Sequence, residues 1–436
     1  MAMSKEELKK LACEAIDKNR DKIIALGESI FAEPELGYKE FKTAEKVKKV
    51  FDELGIEYKD GIAITGVVAP LKGKESKLKV AVMGELDAVV APEHRCADKT
   101  TGAAHSCGHN AQVASVIGVA YALKTTGIMD ELYGDVVLQA VPAEEYVEIE
   151  YRSGIRDEGK ISFLGGKQEF IKLGVMDDID MMLMQHAWTD DMIQCGATYN
   201  GFVGKLVRYI GREAHAAGAP HLGINALNAA NVGLVAIGLI RETFQEKDRI
   251  RVHPIITKGG NLVNVVPNDV RIETYVRGSN FPAIIDASAK VTRAFKGGGD
   301  AIGAQTVVKN LPGYMPLAVN AELGKIVGDN AVALIGADKV DFGGEAVSGS
   351  TDAGDISQIM PTVHAHVGGA KGIAHSSDYE FTDPEFSYIV SSKMLAMSVI
   401  DLLADGAEVG LSVKNNFKAP MTKEEYLKHW EDVVNN

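Results

Sequence analysis

Near the amino terminus, apolar Leu8, Leu11, Ala12, Ala15 and Ile16 recur at the spacing of one buried helical stripe. A second helical stretch, Glu40 to Leu54, follows the Glu33-Pro34 break and is stopped by Gly55. The texture then changes. LKVAVMGELDAVV, around Val80 to Val90, and the run Val136 to Val141 are short, continuous and valine-rich, the pattern of strands covered on both faces. The helical stretch Ala111 to Lys124 lies between them. Strand, helix and strand in that order predict an open, mostly parallel α/β sheet, whose ligands sit beyond the carboxyl ends of its strands.

From Gly201 the pattern reads strand (Val203 to Ile210), helix (Leu222 to Ile240), two strands (Arg251 to Thr257, Val270 to Val276), helix (Pro282 to Phe295) and strand (Thr306 to Asn310). This is βαββαβ, a ferredoxin-like two-layer unit. After Gly313 the helix-and-strand alternation resumes and ends in a helix near Phe386 to Leu403. The reading is an α/β domain in two parts, 1–199 and 313–436, interrupted by an inserted domain, 200–312.

A chain of 436 residues, 46% of them hydrophobic, can fill more than one core. A net charge of -14 argues against a phosphate-backbone partner, since nucleic-acid affinity rests on clustered Lys and Arg. A small molecule is the expected partner. MSKEELKKLACEAIDKNR lacks the apolar run of a signal peptide, and no uninterrupted apolar stretch reaches the roughly 20 residues of a membrane span. Four cysteines are too sparse for a disulfide framework. A cytoplasmic protein without membrane attachment is expected.

Chemistry gathers at four places. HSCGHN brings Cys107 and His109 together, and Glu144-Glu145 follow a buried strand and Pro142. His186 closes the run MMLMQ at another strand end, and His375 lies in GGAKGIAHSSDYE, a glycine-rich loop leading to a predicted helix start capped by Ser376 or Ser377. Each has an ordinary reading: a nucleophilic cysteine, a solvated acidic loop, a structural histidine. Together they offer thiolate, imidazole and carboxylate to one sheet edge, a donor set suited to zinc or another late divalent ion, with manganese an alternative. No glycine fingerprint of a dehydrogenase follows the first strand.

The ordered series EPELGYKEFKTA (Glu33 to Ala44), ELDAV, CGHN, PAEE, GREAHAAGAP, NVVP and the His375 loop resembles the aminoacylase and carboxypeptidase superfamily of di-metal amidohydrolases, especially the branch of indole-acetyl-amino-acid and aminobenzoyl-glutamate hydrolases. The resemblance implies a catalytic domain interrupted by a dimerisation domain. It implies that Cys107 bridges two divalent ions completed by His109, Glu145, His186 and His375, with Glu144 as general base and Asp87 orienting a ligand. It also implies a homodimer in which His215 reaches the neighbouring subunit's site to stabilise an oxyanion, while Asn264 and Arg277 hold the substrate's carbonyl and carboxylate. Arg277 has a plainer reading as a strand arginine paired with Glu273 or Asp269.

The implied activity is hydrolysis of the amide bond of a small N-acyl or N-aroyl amino acid. A dipeptidase of the same fold, a noncatalytic metal- or ligand-binding relative and a Cys107 thiol hydrolase are the alternatives, and Glu144 beside Glu145 argues against a pure binder. Glu85 stands where the carboxypeptidase branch has a metal-binding histidine, and Asn110 where many relatives carry aspartate. The first departure implies that His109 substitutes for that ligand, and the second, with the charged stretch Ile149 to Gly165, bears on substrate choice. Ser350, Thr351 and Asp352 form either a polar turn at the site edge or a helix cap.

Overall fold

The structure is a computed structural model that describes residues 3–435. The chain divides into two compact units. One comprises the chain through Thr198 with Ala318–Ala346 and Asp355–Thr422; the other comprises Tyr199–Leu317, Val347–Gly354 and the segment from Lys423 onward. Residues 313–317, Val347–Gly354 and the segment from Lys423 onward, which the sequence reading assigned to the α/β domain, therefore belong with the inserted one.

The first unit is built on an eight-stranded sheet in the spatial order Lys59–Ile62, Gly66–Leu71, Asp135–Val141, Lys79–Glu85, Met181–Ala187, Thr362–Val367, Ile193–Gln194, Val340–Asp341. Its four central strands, Asp135–Val141 to Thr362–Val367, run parallel. They are buried on both faces, which is why their sequences are apolar without alternation. Helix His109–Thr126 is buried from His109 to Leu123, so it too lacks a polar stripe. Because the strands are parallel, Glu85, Val141 and His186-Ala187 all arrive at one edge, and the loops after them share that edge.

The carboxyl-terminal part departs from expectation. No helix starts at Ser376: its hydroxyl donates to Asp378 and to the Ile373 carbonyl, closing a local turn. The apolar stretch Glu385–Leu403 is long enough to cross a membrane, with a mean hydropathy of 1.4, yet 78% of it is buried inside the protein, as befits a core helix. Two more helices follow it, Glu408–Asn416 and Lys423–Asn435.

The second unit has the antiparallel order Arg251–Val252, Asp269–Gly278, Gly201–Ile210, Gln305–Tyr314, with Ile255–Lys258 also on Asp269–Gly278. The strand expected over Arg251 to Thr257 is broken at His253-Pro254, where proline has no N–H for the ladder. Helices Ala226–Ile240 and Phe281–Ile302 join Val207, Tyr209, Val270, Ile272 and Phe295 in one core. The second helix runs past its expected end through Gly297-Gly298-Gly299. A Cβ on Gly298 would lie 2.5 Å from the Ala229 carbonyl oxygen. There the glycine permits close helix contact instead of stopping the helix.

Candidate metal centre

Helix His109–Thr126 begins at Gly108, whose φ of 90° is left-handed. A Cβ there would strike the Tyr379 hydroxyl at 2.6 Å and Ala187 at 2.7 Å. Glycine thus lets the CGHN turn press against the neighbouring strand end, which sets Cys107 beside His186 with Sγ 3.4 Å from Nε2.

Between strand Asp135–Val141 and the two acids, Ala143 is held at φ 58°, a costly conformation for a residue with a Cβ. Its N–H donates to Glu40 (2.8 Å) and its carbonyl accepts from Arg152 and Gly166. The next two N–H groups, of Glu144 and Glu145, donate to the two carboxylate oxygens of Asp87 at 3.0 and 2.9 Å. Asp87 thus fixes the acidic pair through its carboxylate and His109 through its own carbonyl, which accepts from Nδ1 at 2.8 Å.

Two groups of potential ligand atoms emerge, Cys107 with His109 and His186, and Cys107 with Glu145 and His375; within each, all atoms lie within 4.8 Å of one another. Cys107 is common to both. A third group joins Glu85, His109 and Glu144.

The donors fit divalent ions on two counts. His109 and His186 each donate Nδ1–H to a carbonyl oxygen at 2.8 Å, which leaves the Nε2 lone pair turned to the centre. His109 Nε2 is 3.0 Å from Glu85 yet lacks the alignment of a hydrogen bond, and it remains a buried orphan. The second count is charge. Glu40, Glu85, Asp87, Glu144 and Glu145 are buried, and among the described residues Lys167 and Arg152 are the fully buried lysine and arginine beside them, an imbalance that bound cations would relieve.

The electrostatics follow. Burial and Glu145 oppose ionisation of the half-buried Cys107, but the imidazoles of His186, His109 and His375 bring its thiol down to about 6. The Glu145 carboxylate, 3.2 Å away, holds His375 well above the ordinary histidine range against burial. Glu145 is lowered in turn: burial resists, but His375 and His109 win.

Sequence reasoning missed a buried layer beneath these ligands. Lys167 Nζ is 2.5 Å from Glu85 Oε1, and Gln112 holds the other oxygen at 2.6 Å; all three side chains are inaccessible. Glu85, standing where a relative has a ligand, is therefore committed to Lys167. Arg152, from helix Ile149–Asp157, gives the charged stretch after PAEE its purpose: it is fully buried, donates to the carbonyls of Leu164 and Ala143, and lies over Tyr38. Burial and Asp87 raise Glu40 to about 7. Asn110 points away from the ligands, donating to the Tyr388 hydroxyl at 2.9 Å and to the Gly27 carbonyl.

The second unit carries the remaining candidates. His215 and Asn264 are exposed on adjacent loops, joined by the Ala216 N–H to the Asn264 carbonyl at 2.9 Å. His215 Nδ1 accepts from the N–H groups of Ala217 and Gly218, so its proton resides on Nε2. Asp269 binds Arg208, Lys258 and Arg271, and Arg277 donates to Ser350 at 2.7 Å and lies against Phe202 and Tyr275. Of the two roles left open for that turn, Thr351 takes a helix cap, its Oγ1 accepting from the N–H of Ala353 at the next helix start.

Comparison with known proteins gives a concordant picture. The profile of peptidase family M20/M25/M40 matches residues 81–399. An Xaa-Arg dipeptidase of Homo sapiens is 26% identical over 97% of this chain and 94% of its own length. An N-acyl-L-amino acid amidohydrolase of Geobacillus stearothermophilus is 26% identical over 72% of this chain and 81% of its own. Among solved structures, an aminobenzoyl-glutamate utilization protein from Klebsiella pneumoniae aligns with a TM-score of 0.68 at 18% identity, covering 89% of this chain and 97% of that one. A dinuclear metal binding peptidase of the M20 family from Bacillus subtilis aligns with a TM-score of 0.64 at 21% identity, covering 89% and 99%.

Proposed function

We propose that this chain, which belongs to peptidase family M20/M25/M40 and is a metal-dependent amidohydrolase or peptidase, cleaves the amide bond of small N-acyl or N-aroyl amino acids. The observation that carries the reading is the pair of ligand groups sharing Cys107 at the carboxyl edge of the parallel strands. Cys107, His109, Glu145, His186 and His375 would hold two divalent ions, zinc or manganese by donor type. Bound there, the ions would lower the pKa of water and polarise the scissile carbonyl.

The chain's own groups supply the rest. Glu144, beside the ligand Glu145 and with Oε2 3.8 Å from His109 Nε2, accepts the proton of the attacking water and delivers it to the leaving amine. His215, protonated on Nε2, is a donor suited to an oxyanion. Arg277 provides a planar fork for the substrate carboxylate, with Asn264 as a carbonyl partner.

A dipeptidase reading is favoured by one observation: the likeness to the Xaa-Arg dipeptidase spans 97% of this chain, against 72% for the N-acyl-amino acid amidohydrolase. Both activities release a free amino acid. Protein reconstituted with zinc, manganese or cobalt and offered N-acetyl and N-benzoyl amino acids, aminobenzoyl-glutamate and Xaa-Arg dipeptides is expected to turn over at least one class. Full metal occupancy with no turnover on the panel would leave a binding protein instead.

The reading includes a cytoplasmic homodimer. Exposed Leu222, Val235, Leu239, Ile255, Leu262 and Val263 give the second unit apolar surface that an identical partner would cover. If His215 acts across that interface, inactive His215→Ala and Glu144→Gln subunits, unfolded and refolded together, form hybrids with one intact site. Random pairing then restores about a quarter of wild-type activity. Mixtures that stay inactive while hybrids form place His215 in its own subunit's site or outside the chemistry.

A further inference from the structure

Strand Gly201–Ile210 turns Val203, Lys205, Val207 and Tyr209 to one side, the side that Val207 and Tyr209 share with the apolar core. Lys205 therefore occupies a core position, 1% exposed. Its ammonium donates to Thr292 Oγ1 at 2.8 Å and Asn310 Oδ1 at 2.6 Å, both neutral. An ammonium has three protons, and among the described residues the third meets no acceptor and no carboxylate pairs with it. Burial, with Lys296 nearby, pulls this amine down to about 7, a measure of the uncompensated charge.

Thr292 and Asn310 also line a cavity of about 450 Å³ between helix Phe281–Ile302 and helix Lys423–Asn435, within the range of small-molecule sites. Lys205 lies behind this lining, bonded to both Thr292 and Asn310. Phe281, Ile285, Ala289 and Val433 form apolar walls, and Arg293 places a cation at the lining. The lining acid, Asp432, is paired with Lys428 at 3.2 Å. Asn310 ties this lining to the far helix by donating to the Val433 carbonyl at 3.1 Å.

We propose that this cavity binds a small monocarboxylic acid, its carboxylate reaching between Thr292 and Asn310 to the Lys205 ammonium behind them and its apolar body lying between the two helices. The site lies wholly within the second unit and is independent of the metal ligands.

Trp430, whose ring is 5.4 Å from that of Phe281, reports on it once Trp188, the other tryptophan, is replaced by phenylalanine. Full-length, metal-loaded Trp188→Phe protein is titrated with hexanoate, hexanol and hexylamine while Trp430 fluorescence is followed. Hexanoate is expected to saturate the change at least about tenfold more tightly than hexanol, the least that a charge-assisted hydrogen bond confers. Lys205→Met should erase that preference, and Ala289→Phe, which fills the cavity without touching the lysine, should abolish binding of both. Hexanoate no tighter than hexanol, or hexanoate binding that persists in Ala289→Phe, overturns the proposal. Should Lys205→Met fail to fold by circular dichroism, the Ala289→Phe arm decides alone.

Discussion

Glu144→Gln is expected to keep both metal ions and lose turnover by a factor between about a hundred and ten thousand, the span typical of a removed general base. The substitution keeps size and hydrogen-bonding shape and deletes only proton affinity. The backbone is secured independently of the side chain, because the Glu144 N–H is held by Asp87 and Ala143 is locked by Glu40 and Arg152. Loss should fall on kcat, with KM little changed, since a base acts in the transition state. Metal content by elemental analysis beside kcat separates two roles. The grouping of Glu144 with Glu85 and His109 allows it to be a ligand, in which case an ion leaves with the carboxylate. Unaltered kcat removes Glu144 from the chemistry altogether.

The parts of this centre that a sequence reader could find are those whose chemistry is local. PAEE and the strand-end His186 follow or end continuous apolar runs, which a parallel sheet necessarily brings to one edge, and CGHN opens an apolar helix. The buried ions below them were illegible for the opposite reason. Lys167 and Arg152 belong to types that are almost always exposed, and nothing near Lys167 in sequence announces Glu85, 82 positions away. Lys205 did leave a signal, as a lysine on the inward phase of an alternating strand. The fold behaved similarly: local periodicity marked the βαββαβ elements, whereas the recruitment of Val347–Gly354 and the last helix depends on contacts made across long stretches of chain. Glycines misled where they serve packing, as at Gly298 against Ala229.

Removing the metals is expected to abolish amide hydrolysis down to background, with recovery on adding zinc or manganese. The reason is the position of Cys107 in both ligand groups, where it would be a donor to either ion. Cys107→Ala should therefore lose affinity for both ions together. Losing His186 should weaken chiefly the ion it shares with His109, and losing His375 the ion it shares with Glu145. The same stripping discriminates the thiol-hydrolase alternative. With its thiol at about 6 and partly accessible, Cys107 in chelated protein carries a thiolate at neutral pH and should be alkylated by iodoacetamide, while bound metal protects it. A hydrolase that used this thiolate as nucleophile would keep its turnover after chelation and lose it to the alkylating agent. Activity that survives chelation, with the ions shown to be gone, would refute the metal mechanism.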